Sequence, residues 1–140
     1  MKKTGEYMKY LLLLLTLCMT NLVYAEKKLD CDYKFKKYCA KLKFDKEPSR
    51  SYSSDFKIFF KDIKSGKPVM PKEAVYPYLW MKMKNGHEHG SAKVEITREK
   101  DHFDVKNVWF VMIGNWELFL TLKKDGKILE KEVKIIEIPR

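Results

Sequence analysis

From Tyr38 onward, apolar and polar positions alternate with a period of two along most of the chain. Tyr38, Ala40, Leu42 and Phe44 alternate with Lys41 and Lys43, which predicts a half-buried first strand over Tyr38 to Asp45. Glu47 to Ser51 is a loop by composition. A second strand is expected over Phe56–Asp62, ended by Ser65-Gly66-Lys67-Pro68. The third covers Val75 to Met83, with Pro77 marking an edge or bulge. The fourth covers Ala92 to Thr97, with Val94 and Ile96 inward. The fifth covers Val105 to Ile113 and the sixth Trp116 to Lys123, with Gly114-Asn115 as the turn between them. Lys124-Asp125-Gly126-Lys127 reads as a hairpin turn, and Ile128 to Ile138 as the seventh strand. Lys67 to Ala74 is open between a short turn of helix and none. No window carries a useful helical period. Seven short strands at this spacing predict an all-β, immunoglobulin-like antiparallel β-sandwich.

The first residues change the picture of where this domain works. Lys2, Lys3 and Lys9 form a basic start, Leu11 to Cys18 an apolar run, and Val23-Tyr24-Ala25 a small-x-small cleavage pattern. Met1 to Ala25 therefore reads as a cleaved signal peptide. The run is shorter than the roughly 20 residues of a membrane span. A periplasmic or secreted protein starting near Glu26 is expected. The rival reading is a lipoprotein anchored through Cys18, with Leu17 standing where such signals carry a small residue. The expected organisation is a signal peptide over 1–25, an extension with the cysteine pair and first strand over 26–54, and the sandwich over 55–140.

The formal charge is +10. Lys2, Lys3, Lys9 and Glu6 account for +2 of it, leaving +8 for the remainder. A basic exported protein can make peripheral contact with anionic membrane or envelope polymer. The lysines are spread among apolar residues, as on solvated strand faces. Nucleic acid is not an expected partner outside the cytoplasm. Cys31 and Cys39, an even pair in an exported chain, predict a disulfide.

One stretch gathers chemistry. Trp80 to Ser91 holds Met81, Met83, His87 and His89 in nine residues. On a strand Met81 and Met83 share one face, opposite Trp80, Lys82 and Lys84. Asn85-Gly86 signals a turn in which both residues tolerate positive φ, so His87 and His89 are expected on an exposed loop. Thioether and imidazole suit copper, and thioether favours Cu(I). Met81, His87 and His89 form the candidate ligand set, with Met112 joining if the fifth strand ends beside the turn. Each has a plainer reading too. Core-facing Met fills gaps, and His in a polar turn is ordinarily solvated. His102, in Glu99-Lys100-Asp101-His102, reads as a surface loop residue. Trp80, Trp109 and Trp116 read as core and sheet aromatics.

The order Asp62-x-x-x-Gly66-Lys67-Pro68-Val69, then Leu79-x-Met81 with the Asn-Gly-His-x-His-Gly turn, then Phe103-x-Val105-x-Asn107-Val108-x-Phe110-x-Met112-x-Gly114-x-Trp116-x-Leu118-x-Leu120 resembles the YtkA-like/FixH-like family. The resemblance spans roughly Asp55 to Ile138. It implies a small exported or membrane-anchored β-sandwich near copper handling, with a copper exporter or cytochrome oxidase assembly factor as partner. Here the family's Met-x-x-Met-x-His style turn is only approximated, by Met81-x-Met83-x-x-x-His87-x-His89.

No nucleophile elbow, His-Glu-x-x-His, glycine-rich phosphate loop or three-His cluster is present. An enzyme is not expected. Two functions stand: an exported accessory protein that binds or passes copper, and an exported interaction or envelope-binding module without metal.

Overall fold

Alternation in sequence becomes alternation in burial. In a computed structural model, which describes residues 29–140, strand β3 (Phe56–Asp62) buries Phe56, Ile58 and Phe60 and turns Lys57 and Lys61 outward. The same rule governs β2 (Tyr38–Phe44), β4 (Ala74–Lys82) and β8 (Gly114–Lys124). These strands need a partner for their apolar faces, and two sheets supply it to one another. The remaining strands are β1 (Tyr33–Lys34), β5 (Glu88–Gly90), β6 (Glu95–Arg98), β7 (Phe103–Lys106) and β9 (Lys127–Ile138).

One sheet has the order β1-β2-β3-β7-β6 and the other β5-β4-β8-β9, with every ladder antiparallel. Leaving out β1, this is the immunoglobulin strand arrangement with an added short edge strand beside the third strand. The expected all-β sandwich is what forms, and no helix occurs among the described residues. Between the sheets lies one core built on Trp116, Phe110, Phe56, Phe60, Tyr33 and Phe35. The Phe110 and Trp116 rings meet edge to face at 5.7 Å.

Nine strands appear where seven are expected. β1 is only two residues long and is defined by pairing with β2. Cys31 and Cys39 are joined in a disulfide beside it, with Cα atoms 5.2 Å apart. Closing so short a loop stabilises the fold by about 2–3 kcal/mol in the chain-entropy treatment. Half-buried Asp32 then ties the two sheets together. It pairs with Lys134 of β9 and accepts the Leu42 N–H at 2.8 Å.

The predicted fifth strand is displaced. Its ladder runs over Phe103–Lys106 and stops at Asn107, whose φ of 60° breaks the extended run. Val108 and Phe110 still point inward and are fully buried, although residues 107–113 form no ladder. The Ser54 N–H holds this segment through the Val108 carbonyl at 2.7 Å. The expected turn Gly114-Asn115 is instead the start of β8, with Asn115 paired to Glu137. Pro77 lies as expected, on the edge side of β4, since β5 covers only Trp80 to Lys82. The signal-peptide and Cys18 readings fall on residues outside those described.

Candidate functional site

β4 leaves the core at its C-terminal end. Leu79 and Met81 are its last buried residues, Lys82 is exposed and Met83 half-buried. The chain then reverses over Lys84-Asn85-Gly86. The Gly86 N–H donates to the Met83 carbonyl at 3.0 Å, and the Met83 N–H to the His87 carbonyl at 2.8 Å. Gly86 alone takes positive φ, at 84°. Asn85 instead uses its side chain, accepting the His87 N–H at 3.1 Å. Positive φ at Asn85 is thus not needed, because a three-residue loop closes on a single left-handed glycine.

His89 does not lie on a loop. It belongs to β5, where its Cα is paired with that of Met81. Directly opposed residues of an antiparallel pair share a face, with Cβ atoms about 4.5–5.5 Å apart. By the same alternation Met83 and His87, one step nearer the turn, face the same way. Two thioethers and two imidazoles therefore occupy one face of the β4–β5 hairpin. His87 and His89 are exposed, so this face lies where the core opens to solvent. Glu88 is paired with Lys82 and lies on the opposite face.

The far side of Met81 is bounded by β8. A Cβ at Gly114 would lie 2.8 Å from the Met81 methyl carbon, so the chain passes directly over that side chain. Gly114 also has φ 118°, a second reason for glycine there. Met112 stands two residues earlier, partly buried against the core, and its carbonyl accepts the Trp116 Nε1–H at 3.0 Å. The segment carrying Met112 thus reaches the end of β4 that carries Met81. Trp80, on the outer face, covers Gly90, whose added Cβ would come within 3.0 Å of the indole.

Reading the sequence alone left Met83 to the core. The signal that assigns it was available: a loop of Lys84-Asn85-Gly86 fixes the register, and that register puts Met83 opposite His87. Among the described residues no group of three or more His, Cys, Asp and Glu is placed to hold a metal ion.

His102 lies in the loop before β7, half-buried and held by its neighbours. Its ring stacks on Phe59 at 5.3 Å, with Nδ1 2.7 Å from Asp101. Its Nε2 is 3.4 Å from Asp104, whose carboxyl the Lys57 hydrogen bond holds below the usual range. Burial would raise the Asp32 carboxyl, but hydrogen bonds from Lys134 and the Leu42 N–H, with the charges of Lys134 and Lys41, leave it lowered. Burial pushes the Tyr33 hydroxyl well up. That hydroxyl donates to the Leu118 carbonyl at 2.9 Å.

The class defined by these features is an immunoglobulin-like β-sandwich with an exposed Met/His hairpin at its rim. No protein-family model, curated protein or solved structure matches the chain.

Proposed function

We propose that the protein is an exported, non-catalytic accessory protein that binds or passes copper as Cu(I), held on the inner face of the β4–β5 hairpin. The observation that carries this reading is the register Met81 to His89, with Met83 and His87 the next pair outward. Thioether and imidazole donors spaced in this way suit a soft monovalent ion without a thiolate. The rim position resolves a conflict, since a core-facing Met81 and solvent-facing histidines can share one ion only where the core ends. An exposed site on a short edge strand also suits transfer, because a partner can approach the ligands directly. The resemblance to YtkA-like/FixH-like domains favours a copper exporter or an oxidase assembly factor as that partner.

The test is titration with Cu(I), held reduced by ascorbate, against a weak chromogenic Cu(I) chelator. One ion per chain is expected, and replacing His87 and His89 together by Ala should abolish it. Failure of the unmodified protein to compete with the chelator overturns the copper reading. Undiminished binding by the double variant moves the ion elsewhere. An exported interaction module without metal is the second reading, favoured by the exposed apolar residues of β9.

A further inference from the structure

β9 is the longest strand among those described and forms an edge of its sheet, with no strand beyond it among the described residues. Ile128, Leu129, Val133 and Ile135 are 57, 52, 45 and 54% exposed, more apolar surface than an edge normally shows to water. The outer face continues that surface inward. Tyr78, Phe119 and Val133 lie in register across β4, β8 and β9, and the Tyr78 and Phe119 rings stack at 4.8 Å.

We infer that β9 pairs antiparallel with β9 of a second copy of this chain, about a two-fold axis at Val133, to make one continuous eight-stranded sheet. Charge selects this occupant. The chain as a whole carries +10, so most of its surfaces repel a copy of themselves. β9 is the exception, with Lys127, Lys131 and Lys134 balanced by Glu130, Glu132 and Glu137. Lysines along an edge keep other strands away where carboxylates in the same strand do not cancel their charge. This one is neutral.

The register follows from the same residues. With Val133 opposite its own copy, Glu132 of each chain faces Lys134 of the other, and no like charges are opposed. The row Tyr78–Phe119–Val133 then runs unbroken through the axis into its symmetry mate. Lys131 of the copy falls beside Ile135, two strands from Glu117, a separation of about 10 Å that the two side chains together span. Glu117 Oε2 is hidden from solvent and has no hydrogen-bond partner among the described residues. A lysine arriving from the second copy, released from its own Phe119 ring over which its ammonium lies at 4.2 Å, supplies one. Moving the two-fold to Glu132 would oppose two carboxylates and break the apolar row.

Sedimentation of the full chain, free of copper and with chelator present, tests the dimer independently of the copper reading. This is a small contact for a stable interface, so dissociation in the range of about 1–100 µM is expected. Val133→Lys, which opposes two lysines at the axis, should weaken the dimer at least tenfold, and Glu117→Gln severalfold. Tyr76→Ser, on the same outer face but away from the edge, should leave it unchanged. Val133→Cys should cross-link to its copy on oxidation while Lys131→Cys does not, with the unmodified protein run beside them to account for Cys18. Slowed hydrogen exchange in β9 as the unmodified protein is concentrated reads the same pairing without substitution. A monomer throughout the concentration range overturns the proposal. So does a dimer broken by Tyr76→Ser but not by Val133→Lys, which would be two outer faces stacked. Cross-linking at 131 in preference to 133 overturns the register.

Discussion

The two hairpins of the four-stranded sheet, β4–β5 and β8–β9, share a ladder type and divide the work of the molecule between them. β8–β9 holds eleven paired positions, from Gly114 with Ile138 to Lys124 with Lys127. It turns on Asp125 and Gly126, both at positive φ, as a tight two-residue connection requires. It sends Trp116, Leu118, Leu120, Leu122, Ile136 and Ile138 into the core. β4–β5 holds three paired positions, and every residue of β5 is exposed. A strand that buries nothing adds little to folding, which leaves its side chains free for the ligand role proposed above. Stability is thus concentrated in one hairpin of the sheet, while the Met/His residues proposed to bind copper lie on the other, where Gly114 passes over Met81.

Breaking the folding side should have the largest effect. Trp116→Ala removes a fully buried indole and should destabilise the protein by about 3–5 kcal/mol, read from denaturant titration. Gly114→Ala attacks the junction between the hairpins. Strain at φ 118° and displacement of the Met81 methyl should together cost about 1–3 kcal/mol. The same change should shift Cu(I) affinity, which a purely structural glycine would not do.

Acid sharpens the comparison from the β9 side. The Asp32 carboxyl is held below its ordinary value of 3.8. A depressed carboxylate contributes stability that is present above the unfolded value and lost as pH falls through the folded one. The melting temperature should therefore fall below about pH 4, and Asp32→Asn should remove part of that slope. At neutral pH the substitution should cost about 1–2 kcal/mol, discounted because Lys134 is partly exposed. The smallest effect belongs to β5. Replacing His87 and His89 by Ala should change apo stability by no more than about 0.5 kcal/mol, even as Cu(I) binding disappears. A large loss of stability would make these histidines structural and erase the division.

The strands legible in the sequence are those whose alternation reflects a buried face. Tyr38 to Phe44, Phe56 to Asp62, Val75 to Lys82, Trp116 to Lys123 and Ile128 to Ile138 all lie where expected. Where burial and hydrogen bonding part company, alternation misleads. Val108 and Phe110 alternate as a strand would, but Asn107 has already turned the chain out of the ladder. β1 and β5 fail for the opposite reason. Two and three residues long, they exist only because a neighbour pairs with them, and no pattern that short can announce a partner. The candidate site was half legible. Its residue types were plain, and the pairing of Met81 with His89 follows from the hairpin register, which the Lys84-Asn85-Gly86 signal carries once the loop is taken as three residues long.

The thinness of β5 also bears on how such a protein changes over generations. A hairpin tip whose side chains bury nothing can exchange them one at a time without unfolding its bearer, because most exposed substitutions are nearly neutral to stability. Histidine could give way to methionine at position 87 or 89, and each intermediate would still fold. If the hairpin binds copper as proposed, selection can retune its preference among ions by single steps while the sandwich behind it stands still.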